Sequence, residues 1–457
     1  MIAHCNRWLL AFAAAYLALL PTNVATFAHS FAYGGSILFT LCVLARARQP
    51  GAAVPAPPRA IVLALAAWCA WSVASLAWSI HPAYSVEQLE REVFDSTIVM
   101  VVFYVAARDA ASFRTLTGAA LASLAVLGAL AIGVDAFGGG WDAGRWHHGV
   151  GPWSTWTVLV TPLLFGLVAP PPLGFGNGRR SRVLGLVLVA VVVVTDRMTD
   201  NRIVWLALAG TLAAASLTAA LRWPQTFTRT PMRWVATLVA MLLVLGVAFV
   251  DAARERAGVV APEAVAQSIE QDPRLVLWDH IRDKIEARPW TGYGFGRRIL
   301  ADRLAAEMGN PLLAHAHNLF ASQWLQTGVV GMLAFAALLA ALFARYVRFV
   351  RARDDALAFA GVVGIALIVG LVLKNLTDDF LFRSNAKEFW ALAAMVLGFG
   401  MRRETQEAAR RAAATVSGCP SAAADAAARA EPLRAEPLPE SAPPAPLQAA
   451  RTPESTP

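Results

Sequence analysis

Ala356-Leu-Ala-Phe-Ala-Gly-Val-Val-Gly-Ile-Ala-Leu-Ile-Val-Gly-Leu-Val-Leu373 is an unbroken apolar run, preceded by Asp354 and Asp355 and followed by Lys374. A helix rises ~1.5 Å per residue, so a run of this length spans the ~30 Å hydrocarbon core of a bilayer. Charges are costly in that core, and here they sit only at its two ends. Working outward from this run, the same reading finds further segments at roughly 8–20, 24–45, 60–80, 93–107, 115–137, 153–169, 183–195, 203–221, 234–251, 318–344 and 386–401. The expectation is an all-α integral membrane protein with about twelve transmembrane helices. The first segment follows Arg7 and has the look of a signal-peptide core, but a second span follows at once, so it reads as a retained helix.

Composition agrees. Of 457 residues, 57% are hydrophobic and 15% charged, with a mean hydropathy of +0.52. Soluble domains carry about 25% charged residues. A soluble globular enzyme, a disordered chain, a collagen-like chain and a small disulfide scaffold are therefore excluded. The net charge of +8 does not require nucleic acid, because inner-membrane proteins collect basic residues on their cytoplasmic side. Cys5, Cys42, Cys69 and Cys419 have neither Cys-x-x-Cys nor zinc-ligand spacing, so no disulfide and no structural metal is expected.

Orientation follows from the loops. With the N-terminus cytoplasmic, the short inner segments hold eighteen basic residues, among them Arg46, Arg48, Arg59, Arg179, Arg180, Arg182, Arg345, Arg348, Arg351 and Arg353. The short outer segments hold seven: Arg91, Arg145, Arg197, Arg202, Lys374, Arg383 and Lys387. That bias predicts an even number of spans with both termini cytoplasmic. The polytopic domain is then 1–401, with one large loop, 252–317, outside the membrane and mainly helical. Residues 402–457 are rich in Ala, Pro, Glu and Arg and poor in large apolar residues, which predicts a disordered cytoplasmic tail. No internal repeat is visible.

Most spans carry no ionisable residue at mid-depth; Asp95 lies near an outer end. Proton-coupled transporters usually place carboxylates or histidines near the midplane. Polar residues gather on the outer face instead, at His147 and His148, at 195–202, along the long loop and at 374–383. That distribution predicts chemistry at the outer membrane–water boundary.

Four constellations lie there. His315-Ala-His317-Asn318 opens a span, with Gly328 and Gly331 following. A histidine at a helix start can serve as a general base near neutral pH, or simply anchor the helix at the interface. The two glycines read as close-packing positions between helices. Thr195-Asp-Arg-Met-Thr-Asp-Asn-Arg202 places Arg202 at the mouth of another span, where a guanidinium either forks onto a phosphate or snorkels to the surface.

In the long loop, Trp278, Ile281 and Ile285 have helical spacing behind Asp272-Pro273, with Arg274 in the first turn. The Gly292-Tyr-Gly294-Phe-Gly296 run after it either cradles a phosphate on its backbone N–H groups or forms a plain glycine turn. It follows no strand, so a dinucleotide site is not expected. Lys374-Asn-Leu-Thr-Asp378-Asp379 with Arg383 offers paired carboxylates, which read as charge-paired or solvated rather than as metal ligands.

The His-x-His-Asn block ahead of Gly-x-x-Gly, the upstream Arg274…Trp278…Pro289-x-x-Gly292-x-Gly294 loop and the span-opening Arg202 together resemble the O-antigen ligase / O-antigen polymerase superfamily, over roughly residues 60–400. The resemblance implies a bacterial inner-membrane, inverting glycosyltransferase that needs no metal or other cofactor. It implies transfer of a glycan from an undecaprenyl diphosphate carrier to lipid A–core at the periplasmic face, with membrane lipid around the protein and no nucleic-acid partner. His317 is then the base, Arg202 and Arg274 bind the diphosphate, and His315, Asn318 and Asp379 are secondary candidates. A polymerase or a protein O-oligosaccharyltransferase would share the chemistry. A lipid-linked glycan transporter is the rival of a different class, and it would usually show repeats or broken helices.

Overall fold

The computed structural model describes residues 2–22, 25–47, 54–139, 149–168, 179–199, 201–225, 273–310 and 313–416. The expected span at 234–251, the histidines at 147 and 148, the first part of the long loop, Cys419 and the tail beyond 416 fall outside them. The described residues are helical throughout, with no strand.

In chain order the helices are α1 (Ile2–Leu19), α2 (Thr26–Arg46), α3 (Arg59–Ala74), α4 (Pro82–Gln88), α5 (Asp95–Ala106), α6 (Ala110–Ala136), α7 (Val150–Val168), α8 (Arg179–Met198) and α9 (Arg202–Arg222). After the undescribed segment come α10 (Pro273–Ala287), α11 (Ala301–Met308), α12 (Leu319–Val350), α13 (Asp355–Lys374) and α14 (Arg383–Val416). A 3₁₀ turn, Ser75–Trp78, ends α3, and a π-helical turn, Leu89–Phe94, leads into α5. Seven of these segments are long and apolar enough to cross a membrane: α2, α3 with its 3₁₀ turn, α6, α7, α9, α12 and α13. The chain is a multi-pass membrane protein.

The chain divides into two units at Glu407 and Ala408. Within the first unit, α13 lies at the centre. It packs against α9, α12 and α7, and most of its apolar length is buried. The opening run Ala356–Leu373 is therefore largely enclosed, and its helix is the most apolar of the seven. By contrast α2 and α3 are peripheral and turn Phe27, Phe31 and Leu63 outward, as α9 does with Leu217 and Leu221. Apolar side chains of that size facing outward suit lipid.

The ends are capped by the expected chemistry. Asp109, Asn318 and Asp354 each accept a hydrogen bond from the third main-chain N–H beyond them, starting α6, α12 and α13. At the other end of α5, the buried Arg402 donates to the carbonyls of Tyr104 (2.8 Å) and Val105 (3.2 Å), filling acceptors that a helix terminus leaves open, and also to Gly398 O of its own helix (3.1 Å).

The feature that positions the site is a break in α12. Gly328 has φ 69° and ψ −177°, which interrupts the helix. The chain 289–294 threads through the break. Val329 N donates to Pro289 O, and Tyr293 N and Gly294 N donate to Leu325 O and Gln326 O, at 2.8–2.9 Å. A Cβ at Gly328 would overlap the Trp290 carbonyl. Gly328 is thus a site of strand-like insertion, not the helix–helix contact expected of it. Gly331 does meet that expectation, since a Cβ there would press on the Trp71 indole of α3.

Candidate functional site

The loop after α10 is built onto α12 before any functional group is placed. Leu277 and Ile281 of α10 bury against Tyr293, Ile299, Leu300, Leu304, Leu313 and Ala316 in a small core of their own. This is the amphipathic stripe expected there, shifted by one residue: Trp278 is only partly buried and donates its indole N–H to Ala316 O at 3.0 Å. That bond ties α10 to the His315–His317 segment.

The glycine run is consumed by the same construction. Gly292 N donates to Arg288 O, Gly294 N to Gln326 O and Gly296 N to the Gln326 side-chain oxygen. All three glycines have positive φ. Their N–H groups are spent within the protein, so the phosphate cradle is ruled out and the glycine turn stands.

His317 itself has φ 48°, a conformation that a non-glycine residue adopts at a cost and that collects at functional sites. Asn318 then caps α12 and donates its side-chain amide to Leu376 O at 2.8 Å, while Leu319 N donates to Asn375 O at 3.0 Å. Asn375 in turn accepts from Phe380 N at 2.7 Å. The turn after α13 is thereby pinned against the start of α12. Asn318 thus joins the two segments that carry the charges.

Asp378 is where those charges meet. Its Oδ2 accepts from Lys374 Nζ at 2.7 Å and from Asn201 Nδ2 at 3.4 Å. Its Oδ1 faces Arg274 at 3.8 Å and His317 Nδ1 at 3.9 Å. Burial alone would push the Asp378 carboxyl up, but the Lys374 ammonium, with His317 and Arg274, outweighs it and holds the group well below the usual carboxylate range. It is therefore an anion at any physiological pH. Asp378 is buried, Arg274 about one-third exposed and His317 mostly covered, so the cluster opens on the Arg274 side.

A second group lies alongside. Arg297 pairs with Asp379 at 3.4 Å, donates to His315 Nε2 and lies over the Phe380 and Phe382 rings. The His315 and His317 rings are 3.7 Å apart, centre to centre. Burial, reinforced by Arg297 and then His317, drives the His315 imidazole far below its ordinary value, so it is neutral. Since a guanidinium can only donate, His315 Nε2 is the acceptor. Burial pushes the Asp379 carboxyl upward against the pull of Arg297 and a bond from Ser322. Burial, with Asp379 adding to it, pushes Glu92 in the π-helical turn up to about 8.

The sequence-derived candidates are thus largely assembled. His317 and Arg274 share Asp378; His315 and Asp379 share Arg297; Asn318 ties the segments together. Arg202 opens α9 directly after Asn201, whose amide bridges Ser154 Oγ (3.1 Å) and Asp378. The expected pairing of the carboxylates holds for Asp378 with Lys374, but the partner of Asp379 is Arg297 and both carboxylates are buried rather than solvated. Arg297 escaped sequence reading because nothing in Gly296-Arg297-Arg298 tells which arginine turns inward. Among the described residues no group of three His, Cys, Asp or Glu side chains converges for a metal ion.

Residues 184–336 match the family model described as O-Antigen ligase. The matched segment contains Arg202, Arg274, Arg297, His315, His317 and Asn318, and ends before α13 and Asp378. No curated protein matches the sequence.

Proposed function

We propose that this chain, with its O-antigen ligase segment, is an inverting membrane glycosyltransferase that moves a glycan from undecaprenyl diphosphate to a sugar hydroxyl of lipid A–core at the periplasmic face. The observation that carries the proposal is the convergence of His317 and Arg274 on one oxygen of Asp378.

The chemistry needs a base for the incoming hydroxyl and cations for the departing diphosphate. Asp378, anionic and buried, faces His317 Nδ1 and favours the tautomer with its proton there. Nε2 is then the nitrogen that takes the acceptor proton. The acceptor oxygen attacks the anomeric carbon opposite the leaving group, the bond to the diphosphate oxygen breaks, and the lipid diphosphate departs with the electron pair. Arg274, partly exposed beside the anion, and Arg202, at the mouth of α9, offset the charge that develops on it.

In this reading the protein sits in the bacterial inner membrane with about twelve spans, both termini and the tail beyond 401 cytoplasmic, and 252–317 periplasmic. The matched family also suits a polymerase, which uses the same groups on another repeat unit. One gel separates them. Deletion of a ligase leaves polymerised carrier-linked glycan unattached, whereas deletion of a polymerase leaves single repeat units on the core. Purified protein supplied with carrier-linked glycan and acceptor should form product; leaflet exchange of the donor without product would replace the enzyme by a transporter.

A further inference from the structure

We infer that Lys374 is a positioning residue for the transfer reaction, acting through Asp378 to set how readily His317 gives up and takes a proton; the inference rests on His317 being the base. Lys374 is the last residue of α13 and is wholly buried, a rare place for a lysine. Its neighbours account for the ammonium. Nζ donates to Asp378 Oδ2 at 2.7 Å, lies 4.7 Å from the centre of the Phe380 ring, and is within electrostatic reach of Asp196 on α8 and Arg274 on α10. Asp196 is itself buried and accepts the Thr157 hydroxyl at 3.0 Å.

The line Asp196–Lys374–Asp378 therefore places one cation between two buried carboxylates, and only the second faces His317. Removing the ammonium alone would leave the buried Asp378 carboxylate with Arg274 at 3.8 Å and cost stability, so Lys374→Arg is the variant that keeps the pair. What the charge does is local. Lys374 engages Oδ2 of Asp378, leaving Oδ1 for His317 and Arg274. It also opposes the pull that Asp378 exerts on a proton at His317. Without the ammonium, Asp378 would hold an imidazolium more tightly and the base would be blocked up to a higher pH. The other groups facing this pair are His315, its ring tilted against that of His317, and Asp379 and Arg297, which pair beside it. Asp378 is the carboxylate bonded to Lys374 Nζ, at 2.7 Å.

The test is the pH profile of kcat for glycan transfer by the full-length purified protein. In Lys374→Met the acid limb should move to higher pH by roughly one to two units, the size of a unit charge removed several ångströms away at an effective dielectric near 20. Activity should recover toward wild type above the displaced limb, the KM for the donor should change little, and Lys374→Arg should keep the limb in place. Lys374→Gln is the second variant, which keeps a donor at the end of the side chain without the charge and should displace the limb in the same direction. An acid limb unmoved in both variants, with activity lowered evenly at all pH values, would reduce Lys374 to a packing role and overturn the inference. If instead the wild-type protein transfers no glycan, or His317→Ala is fully active, it is the proposed function that fails.

Discussion

Arg274 and His317 reach the same oxygen of Asp378, at 3.8 and 3.9 Å, although one lies in the first turn of α10 and the other just ahead of α12. The shared anion places a prospective base and a prospective phosphate ligand side by side on one partner atom.

His317→Ala should lower the transfer rate by about 10²–10⁴-fold, the usual share of a general base. The protein should still accumulate in the membrane, because His317 contributes little to the small core that anchors α10. Initial rates with carrier-linked glycan, normalised to the amount of protein, check this; a fully active variant would remove the base assignment.

Arg274→Ala and Arg202→Ala should each raise the KM for the donor by roughly 10–100-fold, as expected for losing a charge-assisted hydrogen bond of about 1.5–3 kcal/mol. The KM for the acceptor should move far less. Lysine at position 274 should recover only part of the loss, since an ammonium cannot fork across two phosphate oxygens. Titrating donor at saturating acceptor, and the reverse, separates the two effects.

Gly328→Ala should destabilise the protein by more than the ~1–3 kcal/mol of backbone strain alone. Its φ and ψ are open essentially to glycine only, and the added methyl would meet the Trp290 carbonyl. Gly118→Ala in α6 is the control, because nothing lies within 4 Å of a Cβ there. Thermal unfolding of the two variants in detergent should differ in sign or at least widely in size.

Glu92 gives a pH dependence of stability. Burial raises its carboxyl from 4.5 to about 8, so the folded protein holds this proton more tightly than the unfolded chain does. The contribution is fully present below about 4.5, declines as pH rises, and is lost once pH passes about 8. Glu92→Gln should flatten that part of the curve. Melting temperatures measured between pH 5 and pH 9 on both proteins check it, and a parallel fall in both would assign the dependence to other groups.

The helices and the polar edge of the protein were written in the order of the residues. Period, length and the placement of charge settle a lipid-spanning helix locally, because each must satisfy its own backbone hydrogen bonds in hydrocarbon. The boundaries of α9, α12 and α13 accordingly fall within a few residues of those expected from hydropathy. His317, Arg274 and Arg202 stood out as residue types suited to a lipid diphosphate, and the resemblance gave them roles.

Which charge meets which was set by packing between segments far apart in the chain. Asp378 and Asp379 are adjacent in the chain, yet one turns to Lys374, Arg274 and His317 and the other to Arg297. That split depends on the break at Gly328 and on the pinning of 375–380 to the start of α12, both of which are contacts between segments distant in sequence. The glycine run shows the same limit: its composition suits a phosphate cradle, but Arg288 O and the main-chain and side-chain oxygens of Gln326 have already taken its N–H groups. Local sequence sets which groups are available, and long-range packing sets their partners, because burial forces every charge and every N–H to find one.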